Sequence, residues 1–203
     1  MNNLLIGTTN RGKINEIKSI FQDQLPHIRL RLLDEFKPLP IVHETGGSFQ
    51  ANARLKARAY AALTGLITLA DDSGLEIDCL KGKPGVFSAR FAGNQATDQD
   101  NIKKTLQLLT NIPIEKRKAR YVCDMILYIS KDTLLHGHGV LEGHIHTRAD
   151  GDQGFGYDPI FFIPEKQKTV AMLSTEEKNK ISHRQKALQS LIEQIRKLES
   201  IER

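Results

Sequence analysis

At 203 residues with 39% apolar content, the chain can bury a real core as one large domain or two small lobes. Lys plus Arg outnumber Asp plus Glu by 29 to 24, and the resulting net charge of +5 suits an anionic small substrate or a weak nucleic-acid patch equally. Aromatics at 6%, with no Trp, are thin for a surface that stacks single strands. Cys79 and Cys123 sit in apolar, strand-like runs and are expected to be buried free thiols of a reducing compartment. No apolar run approaches membrane-spanning length, and Met1 leads directly into the strand Leu4-Leu5-Ile6. A soluble cytoplasmic protein with no membrane partner is therefore expected.

Gly7-Thr8-Thr9-Asn10-Arg11-Gly12-Lys13 forms a polar turn after that first strand, and Ile14, Ile17, Phe21 and Leu25 then recur at helical spacing. Strand, turn and helix N-terminus in this order present backbone N–H groups and a positive dipole end, which suits a phosphate. Lys13 stands at the helix end where a cation is disfavoured. An anion there would explain it, although a solvated lysine beside an Asn cap is the simpler account. The Gly-Lys-Ser/Thr pattern of a Walker A loop is absent. Ile28–Leu33 alternates as a second strand, and Phe36–Ile41 is an extended connector. His43-Glu44-Thr45-Gly46-Gly47-Ser48 leads into a long helix, capped by Ser48 and closed by Gly65. Phe49, Ala53, Lys56, Tyr60 and Leu63 share one face of it, so Lys56 lies on an apolar stripe and needs an anion or an edge to reach.

The apolar run Gly65–Ala70 is a buried strand, and Asp71 and Asp72 fall where it is expected to end in a Ser73-Gly74 turn. Paired carboxylates at a strand end can hold Mg²⁺, which takes carboxylate, phosphate and water oxygens. If the strand instead continues, the two side chains cannot share one side. Further on, Leu75–Leu80 alternates as a half-exposed strand, and Val86–Gly93 is a short apolar segment with one Arg. Thr97 or Asp98 caps a helix that shows Ile102, Leu106 and Leu109 on one face. Ala119–Ser130 and Thr133–Arg148 form an antiparallel pair about Lys131-Asp132. His136, His138, His144 and His146 lie on the second strand, but no third ligand is spaced to join them, so no transition-metal site is expected. Gly151–Pro159 is a glycine-rich loop whose Phe155 and Tyr157 suit a flat ligand. Capping boxes begin at Ser174 and at Ser182, the second opening the last helix. His183 and Arg184 in its first turn are cations at a positive helix end, as if placed for an external partner.

In this order the motifs Thr8–Lys13, Glu44-Thr45-Gly46, Asn52-Ala53-x-x-Lys56-Ala57, Ala70–Leu75, Ser88-Ala89-Arg90, Gly154–Pro159 and Glu177-Lys178 through Ser182-His183-Arg184 cover nearly the whole chain. Together they resemble the inosine/xanthosine triphosphate pyrophosphatase family, enzymes of non-canonical purine nucleotides. Thr9, where relatives often carry Gly, is the mildest variation. The resemblance implies an α/β fold over residues 1–203: one elongated, two-lobed domain with a central mixed sheet flanked by helices and an active-site cleft between lobes. The halves before and after about Gly93 could form those lobes. It also implies a homodimer and Mg²⁺-dependent hydrolysis of ITP, dITP and XTP to monophosphate and pyrophosphate. Glu44 and Asp72, supported by Asp71, would hold Mg²⁺. Asp72 would also position or deprotonate the water that attacks the α-phosphorus, with Lys56 as its catalytic partner. Thr8, Thr9, Asn10, Arg11, Gly12, Lys13 and Ser73 would bind substrate, with Lys13, Lys56 and the N–H groups of the first helix gathered around its phosphates. Gly156, Tyr157, Asp158 and Lys178 would also bind substrate, Phe155 would stack on the base, and His183 and Arg184 would donate to its 6-oxo group. A sensor using the same site without turnover is distinguished by pyrophosphate release. A nucleic-acid-binding protein would need a basic stripe with interleaved aromatics, which the chain lacks, so no stable nucleic-acid partner is expected.

Overall fold

The computed structural model describes residues 3–201. In chain order the elements are β1 (Asn3–Ile6), α1 (Arg11–Gln24), β2 (Arg29–Leu32), α2 (Phe49–Thr64), β3 (Thr68–Ile77), β4 (Lys83–Pro84) and α3 (Asp98–Leu108). They continue with β5 (Lys118–Tyr128), β6 (Leu134–Ile145), β7 (Phe161–Ile163), β8 (Lys168–Thr169), α4 (Thr175–Ile181) and α5 (His183–Ile201). The strands form one mixed sheet in the order β2-β1-β3-β5-β6-β7-β8, with β4 paired to β3. Among the described residues no helix is long and apolar enough to cross a membrane.

Two compact units share this sheet, and they interleave in sequence rather than dividing at Gly93. The first comprises the chain up to Asp72, Cys123–Gly139 and the chain from His183; the second comprises Ser73–Val122 and Val140–Ser182. The long strands β3, β5 and β6 pass from one unit into the other, which is why a linear division of the sequence misses them.

The first unit is layered, and strand alternation assigns its faces. Leu69, Cys123, Met125 and Leu127 bury against α1 (Ile14, Ile17, Phe21) and α5 (Leu188, Leu191, Ile192). Ala70 and Ile126, one residue out of phase, pack on Ala53 and Ala57 of α2. An apolar stripe on each helix thus covers each sheet face. Leu63, expected on the α2 stripe, is instead half exposed near the helix end. β1 pairs in parallel with both β2 and β3. The chain runs from β1 to β2 on one side and then back across β1 to β3 on the other, and in open α/β sheets ligands collect outside the carboxyl ends of strands at such a switch. The turn after Ile6 and the carboxylates of β3 meet that condition.

The second unit buries Leu75, Ile77, Tyr121, Leu141, Ile145, Tyr157, Phe161 and Val170, with Ile102 and Leu106 of α3 packed against them. α3 is capped by Thr97, whose side chain accepts from Asp100 N while Asp100 bonds back. Ser174 caps α4 in the same way through Glu177, a helix that sequence periodicity did not reveal beyond its capping box. Cys123 is buried as expected, but Cys79 is exposed because β3 ends at Ile77 and Asp78–Leu80 turns into a short 3-10 helix.

Candidate active site

β3 does not end at the acidic pair. It continues from Thr68 to Ile77, so Asp71 and Asp72 project from opposite faces of one strand. This corrects the expected strand end and turn, and it gives the two carboxylates different surroundings.

Asp72 faces α2. Asn52 Nδ2 donates to Asp72 Oδ2 at 2.9 Å. The Asn52 side-chain oxygen accepts from Gly46 N at 2.7 Å, tying α2 to the Glu44-Thr45-Gly46 loop. Gly46 is required there, since a Cβ would lie 2.7 Å from Ala51 Cβ and 2.8 Å from Asn52 Oδ1. Lys56 Nζ donates to Glu44 Oε1 at 2.5 Å and lies 3.9 Å from Asp72 Oδ1. Lys56 is thus the lysine of the apolar stripe with an anion to meet. Burial pushes the Asp72 carboxyl up to about 6, reinforced by Glu44 and opposed by Lys56, Lys13 and the Asn52 bond. For Lys56, burial pulls the ammonium down, but Asp71, Asp72 and Glu44 together hold it above its ordinary range. Two carboxylates meet here beside a single lysine.

Asp71 faces the α1/α5 side and is 1% exposed. Its Oδ2 lies 2.9 Å from Lys13 Nζ and 3.5 Å from an Arg184 nitrogen, and Arg184 in turn donates to Glu16 of α1. Burial alone would raise the Asp71 carboxyl, but Lys13, Arg184 and Lys56 outweigh it and hold the group well below the usual carboxylate range. The supporting metal role expected for Asp71 does not fit this placement, because its carboxylate is turned to cations on the other face. Arg184 needs no external partner to account for its position, being itself 1% exposed between two carboxylates. The Glu16 contribution was not foreseen; its signal was a charged residue inside the buried stripe of α1.

The β1–α1 turn is built around Asn10, which caps α1 by accepting from Lys13 N at 3.1 Å. Thr8 Oγ1 accepts from Asn10 N at 3.2 Å, Thr9 is exposed, and Arg11 pairs with Asp34 at 2.6 Å. Gly12 follows in the first turn of α1, where backbone donors gather. Ser73 follows Asp72 on β3.

In the second unit, Asp158 is the hub of the glycine-rich loop. It accepts from Lys178 Nζ at 2.6 Å, Tyr121 OH at 3.1 Å and Phe155 N at 3.0 Å. Lys178 Nζ also stands 4.5 Å from the centroid of the Phe155 ring. Gly156 N donates to Asp98, and Tyr157 OH donates to the Ser88 carbonyl. Tyr157 and Asp158 are buried and shape the loop, whereas Phe155 is half-buried.

Sequence spacing missed one cluster entirely. His136 Nε2 and His138 Nδ1 of β6 lie 2.7 and 3.0 Å from Asp124 Oδ1 of the neighbouring β5. The expectation that no third ligand joins the His-x-His pair is thereby corrected. The third group comes from across the sheet, twelve residues earlier in the chain, where no local pattern points to it.

Comparison with known proteins is consistent along the length of the chain. Residues 4–194 match the Ham1 family. A protein of Photobacterium profundum named dITP/XTP pyrophosphatase is 45% identical over 193 residues, covering 94% of this chain and 96% of that protein. One of the same name from Bacillus cereus is 43% identical over 199 residues, covering 96% and 95%. The solved structure of a HAM1 protein from Coxiella burnetii superposes with a TM-score of 0.88 at 41% identity, over 97% of this chain and all (100%) of that one.

Proposed function

The chain belongs to the Ham1 family, and on that premise we propose that it hydrolyses ITP, dITP and XTP to the nucleoside monophosphate and pyrophosphate. The observation that carries the proposal is Asp72, a carboxylate held by Asn52 beside Lys56 and Glu44, with its proton affinity raised toward neutrality.

The donor chemistry around Lys56 fits Mg²⁺. Glu44 and Asp72 are hard oxygen ligands that converge on one cationic point, 2.5 and 3.9 Å from Lys56 Nζ. These two residues would hold the ion. When bound, it would neutralise charge on the phosphate oxygens. The remaining chemistry belongs to the chain. Asp72 orients the attacking water toward the α-phosphorus and accepts its proton, its carboxylate held in place by Asn52. Lys56 compensates the charge that develops on the phosphates. Thr8, Thr9, Asn10, Arg11, Gly12 and Lys13 present the α1 N-terminus and its cations to the phosphate chain, and Ser73 adds a hydroxyl. Asp71 acts as a positioning residue, fixing Lys13 and Arg184 from behind.

For the base, Phe155 supplies a ring to stack on, with Lys178 and Asp158 holding the loop of Gly156 and Tyr157 around it. His183 is assigned as the donor toward the 6-oxo group, and Arg184, held between Glu16 and Asp71, as a positioning residue beside it in the first turn of α5. A 6-amino group in the same place would set donor against donor. We further propose a homodimer that resides in the cytoplasm; the exposed thiol of Cys79 fits a reducing compartment. The test is a panel of dITP, XTP, dGTP and ATP with Mg²⁺, scoring pyrophosphate against orthophosphate. Pyrophosphate from dITP and XTP well ahead of ATP is expected. Orthophosphate as the product, or binding without turnover, would contradict the proposal.

A further inference from the structure

We propose that Asp124, His136 and His138 form a second metal site, independent of the nucleotide site, that takes a divalent transition ion of the Zn²⁺ class. Among the described residues this is the one group of three His, Cys, Asp or Glu side chains whose ligand atoms all lie within 4.8 Å of one another.

The sequence of β6 explains how the two rings come to face the same way. His136-Gly137-His138-Gly139 alternates, so the glycines share one face and the histidines the other. The glycine face lies against α5. A Cβ at Gly137 would run into the Ala187 carbonyl and Leu191, and one at Gly139 into His183 and Ala187 backbone. That face is closed to side chains, and the rings project from the opposite one. On β5 the same alternation applies. Cys123 and Met125 enter the α1/α5 core, while Ile126 packs beneath α2. Asp124 is therefore on the α2 side with the histidines, and is only 8% exposed.

One oxygen, Asp124 Oδ1, receives both imidazoles. With both rings neutral, each directs its single N–H to that atom. A divalent ion would use the same three atoms, with each ring staying neutral as its proton shifts to the far nitrogen, Nδ1 of His136 and Nε2 of His138. Bonds of about 2.0–2.1 Å in tetrahedral geometry set ligand atoms roughly 3.3 Å apart. The observed 2.7 and 3.0 Å need a small widening, and the two ring nitrogens, within 4.8 Å of each other, complete the triangle. The far nitrogen of His136 is already met by the Gln50 side chain of α2 at 3.3 Å. Turned over, that amide offers an oxygen to the Nδ1 proton, the outer hydrogen bond that orients metal-bound imidazoles. His136 and His138 side chains are 37% and 54% exposed, so an ion has a path in and water can complete its shell. Imidazole ligands select against Mg²⁺, which separates this site chemically from the oxygen donors Glu44 and Asp72.

The experiment titrates Co²⁺ into the full chain with Mg²⁺ in excess to occupy the all-oxygen site. One equivalent bound at micromolar concentration is expected, with the visible d–d bands of imidazole ligation, and Zn²⁺ should displace it. His136→Ala/His138→Ala should weaken binding about a hundredfold or more while leaving Mg²⁺-dependent pyrophosphate release unchanged. Asp124→Asn keeps the side-chain shape and should likewise lose the bands, which guards against a folding defect in the double variant. His144→Ala/His146→Ala should retain them. No bands from the parent chain, bands that survive loss of His136 and His138, or bands lost with His144 and His146 would each overturn the proposal.

Discussion

Asp71 and Asp72 are adjacent carboxylates on one strand, and the protein sets them to opposite tasks. Asp71 is surrounded by Lys13, Arg184 and, through Arg184, Glu16, a closed set of charges in which burial is repaid by ion pairs. Asp72 has a neutral donor, Asn52, and shares one lysine with Glu44. The first carboxyl is held far toward its charged form and the second toward its neutral form, pushed up to about 6. Alternation along the strand is enough to produce the difference. One face buries α1 and α5 with their cations; the other buries the alanines of α2 and leaves room for chemistry.

The same isosteric change should therefore do different damage at the two positions. Asp71→Asn leaves Lys13 and Arg184 without their shared anion, and breaking a buried pair costs about 3–5 kcal/mol. Chemical denaturation should show that loss; a variant as stable as the parent would remove the contrast. Lys56→Ala is expected to lower kcat/KM on dITP by about a hundredfold, in line with loss of a charge-stabilising donor, with Tm little changed. A lower Tm with normal turnover would make Lys56 a packing residue. His183→Ala should reduce the ratio of dITP to dATP turnover by about tenfold, the scale of one mismatched donor. An unchanged ratio would move base reading to the Gly154–Asp158 loop.

The pH dependence sharpens the comparison further, and the signs differ. Asp71 is depressed, so its contribution is present above the ordinary carboxylate pKa and lost as the solution becomes acid. Asp72 is raised, so its contribution is present below the ordinary value of 3.8 and lost as pH rises through about 6. Asp72→Asn should consequently gain stability relative to the parent between those two values and hold the gain above them. A constant difference across that range would contradict the raised pKa.

Much of this was legible in the sequence, for identifiable reasons. Asn10, Ser48, Thr97 and Ser174 cap their helices because side-chain capping is local, and Lys56 stood out because a charge on an apolar stripe breaks a short-range pattern. What was not legible depends on pairing across the sheet or between helices. The Ser73-Gly74 pair reads as a turn locally, yet β3 runs through it because β4 and β5 take up its edges. Arg184 reads as an outward cation until Glu16, distant in sequence, is brought beneath it. Asp124 sits in an apolar run with nothing to link it to His136 and His138. The interleaving of the two units hides for the same reason: a strand that changes unit midway carries no local mark of it.

The division of labour on β3 is tested most directly by pyrophosphate release from dITP in the parent and in Asp72→Asn, at a pH where both are folded. Loss of the proton acceptor should cut turnover on the order of a hundredfold or more, while the variant melts at or above the parent's Tm. Near-parental turnover by Asp72→Asn would contradict the assignment.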